Sequence, residues 1–271
     1  MNFHIKSPGE KPGVYPIVEK GRELKFLSFT IVELGGRLKE YTLESGDDEL
    51  VLGFYTGPVA VEVTGGPKVW RRETAGRRSI LETGPMIYVP ADSKVKLTAL
   101  HDQARISIAA SPGRPGLEPV LITAEEAVRL HVGKESWTRT VYNFIGDEVE
   151  AEHLIAGETV SRPGGWTSCP PHKHDSPENP AEVPMEEIYY FRVEPRQGFG
   201  FMRVYTNPDD PRPFDYAYAV EHGDTVVIPR GYHPVVACPG YTLNYMWVMA
   251  GEQRVYGAWT DDPRHSWIMA A

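Results

Sequence analysis

Short runs of alternating hydrophobic and polar residues recur along the whole chain. The stretch LKFLSFTIVEL (24–34) is one of them, and it ends at the glycine pair Gly35-Gly36. Period-two alternation is typical of a strand with one buried face, and glycine, proline and aspartate mark the turns between such strands. The same pattern predicts strands at ELVLGFY, VAVEV, MIYVP, VKLTAL and ARISIAA, and later at RTVYNFI, HLIAGETV, EEIYYFRV, GFGFMRVY, YAYAVEH, DTVVIPR, HPVVACP and YTLNYMWVMA.

One segment has the pattern of a helix. TAEEAVRL (123–130) begins at Thr123 and has Glu126 three residues later, which is a capping-box pattern. It follows SPGRPGLEP (111–119), which is rich in proline and glycine. We therefore predict a short helical connection between two β-rich domains, residues 1–120 and residues 121–271.

A short internal echo supports this division. GPMIYVP (84–90) and GDTVVIP (223–229) each contain a glycine, five residues and a proline, and about half the chain separates them, as two copies of one domain would require. The second copy continues into RGYHP with His233, whereas the first continues into ADSKV without a histidine. The predicted fold class is all-β, with two sandwich or barrel domains of which only the second carries metal-binding residues.

Composition and charge narrow the function classes. Hydrophobic residues make up 41% and charged residues 24% of the 271, which is typical of a globular protein with a substantial core. The net charge of −9 argues against nucleic acid or an anionic membrane as a partner. Two cysteines, no apolar run of membrane-spanning length and an N-terminus without a hydrophobic signal core predict a cytoplasmic protein.

Two histidines lie one residue apart in CPPHKHDSPENPAEVPMEEIYYFRV (169–193). On a strand, His172 and His174 would point to the same face, so both imidazoles could converge on one metal ion. A structural or surface role for the pair is the alternative. His233 follows a turn at Gly231 in the second half and is a third histidine for such a site.

Two adjacent glutamates begin the strand EEIYYFRV. Alternation places Glu187 on the same face as Tyr189 and Phe191, which looks like a domain interior, and Glu186 on the other face. An interior carboxylate is costly unless it is paired or bound to a cation. Glu187 is therefore the preferred metal ligand and Glu186 the alternative, unless both are ordinary surface acids.

The order of these residues resembles the two cupin motifs. Gly165, the histidine pair and Glu187 correspond to the first motif, and Gly223-x5-Pro229-x-Gly231-x-His233 corresponds to the second. The resemblance implies one metal ion held by His172, His174, Glu187 and His233. Between His174 and Glu187 lies DSPENPAEVPME, which is longer than the usual cupin spacing and keeps Glu186 open as the alternative ligand.

Longer motifs resemble one particular family. GWTSCPPHKHD, EEIYYFR, GFGFMRVY, DTVVIPRGYHPVVACPGY and WVMAG together are similar to the 5-deoxy-glucuronate isomerases of myo-inositol catabolism. The resemblance implies a bicupin with two jelly-roll-like barrels and the aldose–ketose isomerisation of 5-deoxy-D-glucuronate to 5-dehydro-2-deoxy-D-gluconate. It also implies a divalent metal ion, with zinc expected and manganese, iron or nickel as alternatives.

Such an isomerase needs further groups around the metal. A proton transfer between C1 and C2 requires a base, for which the candidates are Glu158, Tyr245 and an unligated Glu186, whereas a hydride shift requires none. The substrate carboxylate calls for a cation or a hydrogen-bond donor. The candidate substrate-binding residues are Arg203, Arg230, Tyr232, Tyr245 and Lys173, although the two tyrosines could equally be core aromatics and Lys173 an exposed lysine.

Other functions are compatible with the same residues. Another metal-cupin enzyme, either a uronate ketol-isomerase or a dioxygenase, would use the same four ligands, and a non-catalytic sugar-binding cupin would need no base. In each case the expected partner is a small anionic sugar acid. Hydrophobic edge strands would in addition favour a homo-oligomer.

Overall fold

The structure is a computed structural model that describes residues 3–270. Strands dominate it, and the only helices in this range are two 3-10 helices at Glu135–Trp137 and Ser266–Met269. The strands of the first half are β1 (His4–Ile5), β2 (Gly13–Val18), β3 (Ser28–Gly35), β4 (Glu40–Glu44), β5 (Asp48–Thr56), β6 (Val59–Thr64), β7 (Trp70–Thr74), β8 (Met86–Val89), β9 (Lys94–Ala99), β10 (Gln103–Pro112) and β11 (Val120–Ile122). Those of the second half are β12 (Val128–Val132), β13 (Arg139–Ile145), β14 (Ile155–Ser161), β15 (Trp166–Thr167), β16 (His172–Lys173), β17 (Glu186–Glu194), β18 (Phe199–Tyr205), β19 (Asp215–Glu221), β20 (Thr225–Ile228), β21 (Val235–Ala237), β22 (Thr242–Ala250) and β23 (Thr260–Asp261).

The predicted all-β class is confirmed. Each alternating run of the sequence contains a strand, and RTVYNFI coincides with β13 in full. Alternation is a strong signal in β6 and β18, where buried and more exposed positions alternate, whereas β5 and β17 are buried along almost their whole length.

The helix predicted over residues 123–130 is wrong. Its capping box does form, since the Thr123 backbone N–H donates to Glu126 Oε2 over 2.9 Å and the Glu126 N–H donates to Thr123 Oγ1 over 3.3 Å. The structure then ends this turn, and the chain continues as β12 from Val128. Eight residues are too few for a helix to form without tertiary packing, and the β-branched Val128 and Val132 favour a strand.

The chain forms two compact units, each of which is built from more than one segment of the sequence. The first comprises residues 8–128 and 143–156, and the second comprises residues 3–7, 129–142 and 157–270. The sequence predicts one boundary, between residues 120 and 121. Alternation identifies strands but does not show which strands pair with one another. It therefore could not show to which unit residues 3–7 and 143–156 belong.

The first unit contains two open sheets. One has the order β11-β8-β5-β10-β3-β2, and the other has the order β4-β9-β6-β7. Val32, Phe54 and Ile106 from the larger sheet and Val61 and Leu97 from the smaller one belong to one buried cluster. This core fills the unit with apolar side chains.

The second unit carries the histidine motifs. Its large sheet has the order β1-β20-β17-β22-β14-β13-β12, a second sheet has the order β15-β21-β18-β19, and β16 pairs with β23. β17 lies between β20 and β22, with Glu187 opposite Ile228 on one side and Met249 on the other. A strand that is paired along both edges holds its side chains rigidly, which positions Glu187 for a site.

Candidate metal centre and active site

Three imidazoles and one carboxylate meet inside the second unit. One ring nitrogen each from His172, His174 and His233 lies within 4.8 Å of the others. Glu187 Oε2 is 3.3 Å from the Nε2 atoms of both His174 and His233. All four residues of the expected ligand set are thus brought together, although as many as 61 residues separate them in sequence.

The inward-facing atoms of this cluster lack hydrogen bonds. His174 Nε2, His233 Nε2 and Glu187 Oε2 are buried and have no hydrogen-bond partner among the described residues. Buried polar atoms are costly when they are unpaired, and convergent imidazole and carboxylate donors are the set that binds a divalent transition metal. The residues therefore fit a metal ion.

Hydrogen bonds from the outer ring nitrogens orient two of the imidazoles. His174 Nδ1 lies 2.8 Å from the Met185 carbonyl oxygen, and His233 Nδ1 lies 2.9 Å from the Gly231 carbonyl oxygen. Because a carbonyl can only accept, each Nδ1 carries the proton and donates it, which leaves the Nε2 lone pair facing the cluster. This arrangement is typical of metal-binding histidines.

The electrostatics keep most of the cluster in its ligating form. Burial, reinforced by the positive charge that His233 and His174 could carry, holds the pKa of His172 well below its usual value. Burial also lowers the pKa of His233. For His174 the same burial is outweighed by the nearby negative charge of Glu187, so its pKa is raised.

Local backbone geometry presents His233 to the cluster. Gly231 has φ = 93°, and a Cβ at this position would lie 2.5 Å from the Tyr205 carbonyl oxygen. Only glycine fits both constraints, as the sequence suggested for this turn. His172 lies on β16, and the ring of Trp259 packs against its imidazole with 5.1 Å between centroids.

The two adjacent glutamates face different surroundings. Glu187 is 3% exposed and points to the histidines, whereas Glu186 is half-buried and is not part of the cluster. Strand alternation separates the two side chains in the way that the pattern of EEIYYFRV predicts.

A cavity of about 260 Å³ opens beside the cluster. His172, His174 and Glu187 contribute to its wall. The other polar and aromatic residues that line it are Trp137, Arg139, Thr159, Ser168, Tyr189, Tyr245, Trp247, Tyr256, Trp259 and Asp261. A space of this size can hold a small molecule.

The cations suggested for the substrate carboxylate lie elsewhere. Arg203 forms a two-point ion pair with Asp215 (2.8 and 2.6 Å), and Arg230 donates to Asp210 over 2.6 Å. Lys173 Nζ lies 2.9 Å from Glu182 Oε2, within a group of polar side chains. None of these three cations lines the cavity. Each is neutralised by a carboxylate that the sequence pattern could not assign to it.

Of the other suggested residues, only Tyr245 reaches the cavity. Glu158 is fully buried and accepts a hydrogen bond from Asn244 Nδ2 over 3.0 Å, while its neighbour Thr159 lines the cavity. Tyr232 is buried against Tyr205, with 5.2 Å between ring centroids. The structure thus leaves Glu158, Glu186 and Tyr232 outside the cavity.

Two charged residues of the cavity were missed from the sequence. Arg139 begins β13, and Asp261 lies on β23 directly opposite His172. Burial raises the pKa of Asp261, although the positive charge of Arg139 opposes the rise. No motif marks either residue, because the β16–β23 pairing joins segments almost ninety residues apart.

Neither of the two helices in the described residues has the length or hydropathy of a membrane-crossing helix.

Comparison with known proteins gives consistent matches along the chain. The model of the KduI/IolB family matches residues 4–268. The 5-deoxy-glucuronate isomerase of Bacillus subtilis subsp. natto is 36% identical over 260 residues, which cover 94% of this chain and 92% of that protein. The corresponding enzyme of Listeria monocytogenes is 34% identical over 260 residues, with the same coverage of both chains.

Solved structures show the same architecture. An IolB-like protein from Salmonella typhimurium LT2 superposes with a TM-score of 0.89 at 29% identity and covers 99% of this chain and 100% of its own. Lactobacillus farciminis oxalate decarboxylase gives a TM-score of 0.69 at 13% identity, over 100% of this chain and 91% of that one. At so low an identity the second likeness concerns the fold alone, and it confirms the predicted bicupin fold.

Proposed function

Because this chain belongs to the KduI/IolB family and is an isomerase, we propose that it converts 5-deoxy-D-glucuronate to 5-dehydro-2-deoxy-D-gluconate in inositol catabolism. The relatives called 5-deoxy-glucuronate isomerase match 94% of this chain at 36% identity, and they support the substrate. The observation that carries the chemistry is the trio of buried, unpaired atoms His174 Nε2, His233 Nε2 and Glu187 Oε2 beside the cavity.

His172, His174, Glu187 and His233 would hold one divalent metal ion. Zinc is the metal that we propose, with manganese, iron and nickel as the alternatives to be tested, since imidazole and carboxylate ligands suit all four. When bound, the ion supplies a Lewis acid for the carbonyl and neighbouring hydroxyl oxygens of a sugar.

The chain's own residues supply the remaining functions. The Glu187 carboxylate contributes one negative charge to the site, and the burial of His172 and His233 keeps these imidazoles unprotonated at neutral pH. Trp247 and Tyr256 stack on one another in the cavity wall, with 5.7 Å between ring centroids. This aromatic wall excludes water and gives the carbon skeleton an apolar surface.

Isomerisation by proton transfer requires a group that removes a proton from C2 and returns one to C1. Apart from Glu187, Asp261 is the carboxylate that lines the cavity, and the burial that raises its pKa makes it a stronger base than an exposed aspartate. Tyr245 can donate a hydrogen bond from the same wall, since burial raises the pKa of its phenol and keeps it protonated. We therefore assign the proton transfer to Asp261.

The direct test uses purified protein with 5-deoxy-D-glucuronate, with ketose formation followed by NMR. We expect turnover that is lost on chelation and restored by adding one metal back. Glu187→Gln should lose metal content and activity by at least about 100-fold, since it removes a ligand charge, whereas the neighbouring Glu186→Gln is the matched control and should retain both. Protein that is fully loaded with metal and yet does not convert the substrate would refute the proposal.

The role of Asp261 has its own test. Turnover in D2O should place deuterium on the carbon that was the aldehyde C1 of the substrate, which is C6 of the product, and Asp261→Asn should lower kcat by about 100-fold or more with metal content unchanged. Full activity of this variant would remove Asp261 from the mechanism.

The related uronate ketol-isomerase reaction is the second candidate, because the matching family covers two kinds of protein by its name. The same NMR assay with 5-dehydro-4-deoxy-D-glucuronate separates the two substrates by their kcat/KM values. The likeness to oxalate decarboxylases concerns the fold alone and does not favour oxygen chemistry. A cytoplasmic location and a homo-oligomeric state stay predictions.

A further inference from the structure

We propose that Arg139 binds the substrate carboxylate and makes the cavity specific for sugar acids over neutral sugars. This inference rests on the proposed isomerase function. It names the residue that binds the carboxylate end of the substrate, which lies away from the reacting carbons.

Arg139 is the only lysine or arginine among the described residues that line the cavity. Its Nη1 donates to the carbonyl oxygens of Cys169 (3.0 Å) and Trp137 (3.4 Å), and its Cζ lies 5.8 Å from the centre of the Trp137 ring. Two backbone carbonyls and an aromatic ring orient the guanidinium without neutralising it. A guanidinium has five N–H donors in a planar fork, so donors remain for a ligand.

Four other cations of the unit differ from Arg139 in this respect. Arg203, Arg230 and Arg264 each have a carboxylate within 2.7 Å, and Lys173 has two acidic partners. Arg139 has no acidic side chain within ion-pair distance among residues 3–270. The Arg139 guanidinium is therefore not neutralised by a direct ion pair, although Glu187 and Asp261 line the same cavity.

The charge of Arg139 also acts on the cavity as a whole. Burial raises the pKa of Asp261, Tyr245 and Tyr256, and in each case the guanidinium opposes that rise. The same charge adds to the burial that lowers the pKa of His172. A positive potential that reaches so many groups in the wall would stabilise an anion placed among them.

Geometry favours a carboxylate as that anion. The fork of an arginine matches the two oxygens of a carboxylate, and a charge-assisted pair in a half-buried cavity is stronger than one in water. The proposed substrate carries its carboxylate on the carbon farthest from the aldehyde. Arg139 would thus hold one end of the molecule while the histidine–glutamate cluster takes the other.

The test compares two substrates and three variants. The substrates are 5-deoxy-D-glucuronate and its neutral analogue 5-deoxy-D-glucose, in which CH2OH replaces the carboxylate. In Arg139→Gln we expect kcat/KM for the acid to fall roughly 10- to 100-fold, mainly through KM, and that for the neutral sugar to change less than about threefold. Arg139→Lys should recover part of the loss as a point charge without the fork.

Arg203→Gln is the matched control, because it removes an arginine of the same unit that is paired with Asp215 outside the cavity. We expect no change with either substrate. If Arg139→Gln lowers kcat/KM equally for acid and neutral sugar, the residue is merely structural and the proposal is overturned. Unchanged kinetics with the acid would overturn it as well.

Binding separates this inference from the proposed reaction. The C1-reduced form of 5-deoxy-D-glucuronate keeps the carboxylate but cannot isomerise. Its affinity for the metal-loaded wild-type protein and Arg139→Gln can be measured by calorimetry. A roughly 10- to 100-fold weaker Kd in the variant supports the role of Arg139 even if the wild type does not turn over the aldehyde, and equal Kd values reject it.

Discussion

Replacing Asp262 by asparagine should destabilise the protein by an amount that depends on pH. Asp262 follows β23, and its backbone N–H donates to the Pro171 carbonyl oxygen over 2.7 Å. Its buried carboxylate accepts from Tyr205 Oη at 2.8 Å and from Arg264 Nη2 at 2.7 Å. These contacts hold β23 beside the segment that carries His172. They thereby also position Asp261 and the neighbouring Trp259, which line the cavity.

The magnitude follows from the pKa. Burial alone would raise the pKa of Asp262, but the hydrogen bonds from Arg264 and Tyr205 outweigh it and lower the pKa from 3.8 to about 2. A lowered pKa in the folded state stabilises the fold above the unfolded value of 3.8, and this contribution disappears as the pH falls towards 2. At 1.36 kcal/mol for each pH unit, the upper limit is about 2.4 kcal/mol at neutral pH.

The ion pair is partly screened, because the Arg264 side chain is 46% exposed. We therefore expect Asp262→Asn to lower the free energy of unfolding by about 1–2.4 kcal/mol at pH 7. The loss should be the same at pH 5 and about half as large at pH 3, where this carboxyl is already mostly protonated in the unfolded chain.

Urea unfolding of metal-free wild type and variant across this pH range measures the difference. Asp209→Asn, at an exposed aspartate of the same unit, is the control and should have no effect at any pH. A loss below about 0.5 kcal/mol at pH 7, or one that stays constant down to pH 3, would refute the reasoning.

Three further changes test the fold of the two units. Glu49 is fully buried and accepts four hydrogen bonds of 2.7–2.8 Å, so Glu49→Gln should cost about 3 kcal/mol in urea unfolding, while Glu44→Gln at an exposed position should cost nothing measurable. Gly157→Ala would place a Cβ 2.2 Å from Trp247 Cζ2, so we expect about 1–3 kcal/mol of destabilisation and a changed KM, since Trp247 lines the cavity; an unchanged KM would show that the ring does not move. Asp224→Asn weakens the contacts of a buried carboxylate with the chain's first residues, so hydrogen exchange of β1 should accelerate while that of β5 stays constant.

The strands and the inward orientation of Glu187 were predictable from the sequence for the same reason. Side chains of a strand alternate between its two faces, so the same pattern shows which residues are buried and which share a face. EEIYYFRV therefore indicates a core strand and also predicts that Glu187 faces inwards. Gly231 and His233 are adjacent enough for local geometry to relate them. The resemblance to the two cupin motifs then grouped His233 with the histidine pair and Glu187, since periodicity relates residues of one strand and not those of distant strands.

The rest of the cavity could not be predicted because it depends on pairing between distant segments. Arg203 and Arg139 are equally plausible cations in the sequence, and only the position of Asp215 across β18 and β19 neutralises the first. Asp261 reaches the cavity through a two-residue ladder with β16. Neither partner choice leaves a mark in composition, periodicity or spacing.

The pairing of β1 with β20 limits how early the large sheet can be completed during synthesis. His4 and Ile5 pair with Val226 and Thr225, so β1 cannot pair until a segment about 220 residues later has been made. At the usual 5–20 residues per second, roughly 10–45 s pass before its partner emerges from the ribosome. A single cut of the chain therefore cannot produce a fragment that contains the whole second unit. A fragment that starts at residue 129 would lack β1, and the unpaired edge of β20 would be open to aggregation.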